Sequence, residues 1–156
     1  MRVTSSSADG RDGDPVVGRP LDAFAWLVSQ GFSPDNKFII VSLRGDYSHP
    51  GTSPRDQSAD IMCDSLVSYA IDTDTGLLRI VDSANSGWSI PRHLSLNKAG
   101  DLVAVVAQRD GRVSVLVRDP GSGKTGGVVA SRDGFGGDLT GFHGSLRGPV
   151  NAIWDE

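Results

Sequence analysis

The strongest constraint in this sequence is a set of short, β-branched apolar runs, each closed by a tight-turn signal, that occurs twice in the same order. In the first pass, an apolar stretch from Asp22 to Ser29 precedes the turn chemistry Ser33-Pro34-Asp35-Asn36. Proline suits the second position of a turn, and Asp-Asn tolerates left-handed backbone. Lys37-Phe38-Ile39-Ile40-Val41-Ser42 follows, apolar on both faces as a strand buried between two layers must be. After a polar loop over 45–62, Ser65 to Asp72 and Leu77 to Val81 read as strands joined by the turn Asp72-Thr73-Asp74-Thr75-Gly76. In the second pass the runs are Pro91 to Leu96, Leu102 to Ala107, Arg112 to Arg118 and Val128-Val129-Ala130. Their turns are Asn97-Lys98-Ala99-Gly100 and Asp119-Pro120-Gly121-Ser122-Gly123. Phe38 corresponds to Leu102 and Asp72 to Asp119, and the 45–62 loop absorbs the difference in spacing. The chain is therefore expected to be all-β, with four-stranded antiparallel units at about 23–83 and 91–131.

A four-stranded repeat of about 45–50 residues is the size of one propeller blade, so the expected architecture is a partial β-propeller of about two blades. Gly148-Pro149-Val150-Asn151-Ala152-Ile153-Trp154 is similar to Ile90-Pro91-Arg92-His93-Leu94-Ser95-Leu96, which opens the second unit. It is expected to be an orphan C-terminal strand. A lone strand leaves its backbone groups and apolar face without partners, and in a closed ring those partners come from the start of the same chain. Here residues 1–20 are polar and rich in Gly, Ser and Asp, and they read as a disordered leader. Residues 21–156 then read as the C-terminal part of a longer, truncated propeller. Two blades sharing one interface leave two apolar faces open, through which self-association is expected.

Hydrophobic residues make up 38% and charged residues 22%, a globular rather than a disordered balance. The net charge of −4, without a basic stripe, argues against nucleic acid and anionic membrane as partners. No apolar run approaches membrane-spanning length. The start lacks the hydrophobic region of a secretory signal, which favours the cytoplasm. The single Cys63 excludes an internal disulfide framework, and His49, His93 and His143 have no metal-site spacing, so neither metal nor cofactor is expected.

Ser33-Pro34-Asp35-Asn36-Lys37-Phe38-Ile39-Ile40-Val41-Ser42-Leu43-Arg44 resembles the "SPDnkFlyvSNR" segment of the lactonase-type seven-bladed propellers. Asp64-Ser65-Leu66-Val67-Ser68-Tyr69-Ala70-Ile71-Asp72 with Thr75-Gly76 resembles the same family. So do Pro91 through Leu102, with Gln108 and Val113-Ser114-Val115, and the ending Gly148 through Glu156. That family includes 6-phosphogluconolactonases and fungal carboxy-cis,cis-muconate cyclases. The resemblance implies lactone hydrolysis or formation on a small anionic lactone or carboxylate. It also implies that a full member has further blades upstream, so this chain alone is expected to be inactive. The alternative is a non-catalytic propeller fragment or binding module.

Strands a and b of a blade run antiparallel, so the start of one and the end of the other share a rim. Arg92 starts a strand a, Gln108 ends the strand b that follows, and Arg44 lies just past the end of the strand b of the first unit. These three are expected at one mouth of the channel, with His93 pointing the other way by strand alternation. Arg44 and Arg92 are the candidate catalytic residues, since arginine forks bind carboxylate or phosphate and stabilise developing oxyanions. Gln108 and His93 are the candidate substrate-binding residues. The competing reading has the arginines bracing the rim and His93 serving as a packed strand residue. The sequence departs from the family pattern at Ser29, where an acidic residue stands in the family, and at Leu43, where an asparagine stands. A carboxylate is a natural general acid or base.

Two further motifs are set aside. Gly121-Ser122-Gly123-Lys124-Thr125 has the look of a nucleotide loop, but Arg118 stands where the first glycine belongs and a strand signal follows instead of a helix. Trp154-Asp155 lacks the Gly-His partner of a WD repeat, and Trp154 reads as apolar packing.

Overall fold

The computed structural model describes residues 26–50, 62–133 and 149–156. The expected leader over 1–20 and the first residues of the expected opening strand lie outside them. The described strands are β1 (Trp26–Phe32), β2 (Phe38–Arg44), β3 (His49–Pro50), β4 (Met62–Cys63), β5 (Ser65–Ile71), β6 (Leu78–Asn85), β7 (Pro91–Leu96), β8 (Leu102–Ala107), β9 (Arg112–Arg118) and β10 (Thr125–Arg132). They form two four-stranded antiparallel sheets, ordered β1-β2-β5-β6 and β7-β8-β9-β10, with β3 and β4 pairing as a short ladder between β2 and β5. The all-β, two-blade reading of the sequence is what the structure has.

The repeat is visible in the turns. Ser33 N–H bonds the Phe38 carbonyl at 2.9 Å, and its hydroxyl accepts the Phe38 N–H at 3.0 Å. Asn97 does the same for Leu102, at 3.2 Å with its backbone N–H and 3.0 Å with its side-chain oxygen. Asp72 and Asp119 each open a turn that closes on a left-handed glycine, Gly76 (φ 69°) and Gly123 (φ 77°). The Gly121–Thr125 segment is thus the tip of a β-hairpin and leads into β10, not into a phosphate-binding helix.

The sheets stack through one apolar seam. Ile40 and Leu66 of the first sheet meet Leu94, Val103, Val105 and Leu116 of the second, all buried. The innermost strands β1 and β7 lie so close that a Cβ on Gly31 would come within 2.8 Å of Leu94 and 2.9 Å of Leu96. The Leu94 N–H donates to the Ser29 hydroxyl at 3.2 Å.

One expectation needs correction: residues 149–156 form no strand. A strand needs its backbone groups to alternate into a partner's ladder. Here side chains take those groups: Ser95 Oγ donates to the Ala152 carbonyl at 2.9 Å, and the Ala152 N–H reaches His93 Nδ1 at 3.4 Å. The Trp154 indole occupies the Ser95 carbonyl at 3.1 Å, and the Glu156 carboxylate accepts the Lys98 N–H. The segment is held to β7 by side-chain bonds and not by a ladder.

Candidate functional site

Arg44 is the last residue of β2 and pairs with Trp26, the first of β1. Pro91, the first residue of β7, pairs with Ala107, the last of β8, and Gln108 follows directly. Because Ser29 bonds Leu94 while Gly31, two residues on, lies against Leu94 and Leu96, β1 and β7 run in the same direction and start at the same end. Arg44, Arg92 and Gln108 therefore stand at one end of the two sheets. Arg92 is exposed and Gln108 is buried. His93 faces the 149–156 segment, and burial pushes its pKa below the ordinary histidine value. The strict alternation expected through Arg92 and His93 is broken by a β-bulge between Pro91 and His93.

A carboxylate hub that the sequence reading did not single out sits at this same rim. Ser42 pairs with Leu66, so Asp64, just before β5, is level with Arg44. Asp64 is 0% exposed, and both its oxygens are used. Oδ1 accepts the Tyr47 N–H at 3.0 Å and Oδ2 the Ile90 N–H at 2.7 Å. Tyr47 (φ 46°) and Ile90 (φ 57°) both hold left-handed backbone, which is rare for bulky residues and strained for a β-branched one. Asp64 thus pins two strained backbone positions at once. The Ile90 carbonyl in turn accepts the Gln108 N–H at 3.2 Å, which ties the hub to the predicted site.

Two more carboxylates complete the rim. Asp46 accepts both the Ser65 N–H at 3.0 Å and the Ser65 hydroxyl at 2.5 Å. Asp110 accepts the Ser89 N–H at 2.9 Å, one residue from the amide that Asp64 holds. Burial raises the Asp110 pKa above the ordinary carboxylate value, and the Asp64 charge adds to the rise. The Ser89 N–H, Arg109 and Arg112 pull the other way without reversing it. The rim so combines arginine forks, a buried amide side chain and a carboxyl that keeps its proton more firmly than usual. Such a set can bind an oxyanion and exchange a proton. Among the described residues no group of three or more His, Cys, Asp or Glu is arranged to hold a metal ion.

The acidic residue absent at Ser29 is therefore not the sole carboxylate source for this rim. The signal for Asp110 was its place two residues beyond Gln108. No local signal marks Asp64, whose partners Tyr47 and Ile90 are remote in sequence.

Comparison with known proteins adds independent findings. A family model described as "Lactonase, 7-bladed beta-propeller" matches residues 30–134. A "Probable 6-phosphogluconolactonase" of Arthroderma benhamiae is 32% identical over 92 residues, covering 59% of this chain and 21% of the relative. The chain thus spans about a fifth of that relative's length. Among solved structures, the periplasmic gluconolactonase PpgL of Pseudomonas aeruginosa superposes with a TM-score of 0.57 at 26% identity, covering 72% of this chain and 27% of that one. A protein from Lactobacillus plantarum gives a TM-score of 0.55 at 23% identity, over 74% and 29% of the two chains, a likeness of fold.

Proposed function

The chain belongs to the seven-bladed β-propeller lactonase family, and from that premise we propose that it forms two neighbouring blades of a propeller that hydrolyses a small anionic sugar lactone. In this reading the rim of Arg44, Arg92 and Gln108 holds the anionic substrate. Water adds to the ring carbonyl, the carbonyl oxygen gathers negative charge, and the ring C–O bond breaks. The departing alkoxide takes a proton, and the proton released by the attacking water restores the donor, which leaves an open hydroxy acid. The arginines serve the substrate's phosphate or carboxylate and the developing oxyanion. Asp110, with its raised pKa, is the candidate proton donor for the leaving oxygen. Hydrolysis is preferred to the lactone-forming cyclisation of a carboxymuconate because the relatives whose names state an activity are lactonases.

The observation that supports this reading is the pairing register, in which Trp26 opposes Arg44 and Pro91 opposes Ala107 while β1 and β7 run side by side. A second copy of the chain is the protein partner it implies, since Val117 on the far face of the second sheet is 39% exposed.

The test is titration of the 156-residue chain with 6-phosphogluconate, a stable hydrolysis product, alongside an assay with 6-phosphogluconolactone. Weak saturable binding is expected, reduced about tenfold by Arg92→Ala as for loss of a charge-assisted contact. Turnover by this chain alone is expected to stay at the uncatalysed rate, because two blades orient too little of the substrate. Absence of binding, or binding indifferent to Arg92→Ala, would sink the rim as an anion site.

A further inference from the structure

Between the outer strands of the two sheets lies a cavity of about 720 Å³, walled by residues that include His49, Asp82, Trp88, Arg112, Thr125 and Gly127. We propose that this cavity is a binding site for a neutral monosaccharide or polyol. Its size falls within the range of small-molecule sites. The proposal does not rest on the rim reading, and the two sites differ in charge.

The wall has no unanswered positive charge. The Arg112 guanidinium lies 4.0 Å over the Trp88 ring and 3.5 Å from the Asp133 carboxylate. Trp88 is itself fixed, because its indole N–H donates to Ser114 Oγ at 2.6 Å. Asp82 spends one oxygen on the Thr125 N–H at 2.8 Å, which leaves the other for a ligand hydroxyl. Its negative charge is the one the wall leaves unbalanced, and it repels an anionic ligand.

Two polar atoms of the wall, His49 Nε2 and Thr125 Oγ1, are buried with no hydrogen-bond partner. A hydroxyl donates and accepts, so a hydroxyl-rich ligand serves both once the two side chains rotate them toward the cavity. Val128 and the part of the Trp88 ring that Arg112 leaves uncovered give the apolar surface on which the C–H face of a sugar packs. At Gly127 an added Cβ would meet nothing within 4 Å, so a larger side chain there enters open space and not the packed core.

The experiment uses the 156-residue chain, with D-glucose as the neutral probe and D-gluconate as its anionic counterpart, read by ligand-observed NMR and thermal shift. Saturable D-glucose binding is expected, retained in Arg92→Ala and abolished in Gly127→Leu with the melting temperature unchanged. In the Arg92→Ala background gluconate should bind about tenfold more weakly than glucose. Asp82→Asn keeps an oxygen for the Thr125 N–H and removes the charge, so it should narrow that gap. No glucose saturation, saturation that survives Gly127→Leu, or saturation lost in Arg92→Ala would each overturn the proposal. Should Gly127→Leu fail to fold, an unchanged glucose-to-gluconate ratio in Asp82→Asn would overturn it equally. Failure of the rim reading is seen with 6-phosphogluconate and Arg92 and leaves these outcomes untouched.

Discussion

Asp64 holds Ile90 in a left-handed backbone conformation through a 2.7 Å bond from the Ile90 N–H to its buried carboxylate. The other carboxylate oxygen does the same for Tyr47 at 3.0 Å. A carboxylate offers acceptors on both oxygens, whereas a carboxamide replaces one with a donor that would face an N–H. Asp64→Asn should therefore lose one bond and leave an amide unsatisfied, at about 2–4 kcal/mol of folding stability. Asp74→Asn, in an exposed turn, is the control and should stay within about 0.5 kcal/mol of the parent. Urea unfolding of the three proteins checks both values. Equal midpoints would mean that the strained loops hold themselves.

The Asp110 pKa is raised in the folded protein, so between the ordinary carboxylate value and that raised value the folded state binds more protons than the unfolded state. Stability from this group is fully present at low pH and falls as pH climbs through that window. Asp110→Asn removes the penalty while keeping an oxygen for the Ser89 N–H. The variant should gain stability relative to the parent on going from about pH 4 to pH 7. Asp35 works in the opposite sense: the Ser33 hydroxyl chiefly lowers its pKa, so its contribution is lost as pH falls through the lowered value. Asp35→Asn should lose ground to the parent on going from about pH 2 to pH 4, the side of the ordinary carboxylate value on which its lowered pKa lies. Chemical denaturation across the two ranges decides both signs.

Gly76 and Gly123 occupy the same place in the two units and both have positive φ, yet their surroundings differ. A Cβ on Gly76 would meet nothing within 4 Å, whereas one on Gly123 would lie 2.4 Å from the Phe38 ring. Gly76→Ala should cost only the left-handed penalty of about 1–2 kcal/mol. Gly123→Ala should add an overpacking penalty of about 1–3 kcal/mol. If the two cost the same, the hairpin tip does not dock on Phe38 as the structure has it.

What the sequence made legible follows from distance along the chain. The turn residues Ser33, Asn97, Asp72 and Asp119 act on amides a few positions away, so type and spacing reveal them. The strands follow from β-branched runs, although β10 starts at Thr125 and so includes Gly126 and Gly127, whose composition hid it. Asp64 was hidden for the opposite reason: it acts on Tyr47 and Ile90 across the fold. Ile90 also defies the usual extended backbone of a residue before proline. The bulge at Arg92 broke the alternation that was to place His93, and the similarity of 148–154 to the start of β7 did not supply it with a ladder.

The last prediction concerns association. Val113 and Val115 line a face of the second sheet that the 149–156 segment flanks at Pro149, Asn151 and Ala152. On the same face Val117 is 39% exposed, and near it β10 exposes Val129 at 59%. In a stacked propeller each such face packs on the next blade, and apolar area left in water favours a partner that covers it. The 156-residue chain should therefore show a mass above the monomer by light scattering, rising with concentration. Val117→Lys puts a charge on the face without touching the buried seam of Ile40, Leu66, Leu94, Val103, Val105 and Leu116. It should shift the distribution toward monomer and leave the far-ultraviolet spectrum unchanged. A strictly monomeric parent, or a Val117→Lys variant with the parent's mass distribution, would remove the second copy as the partner of this face.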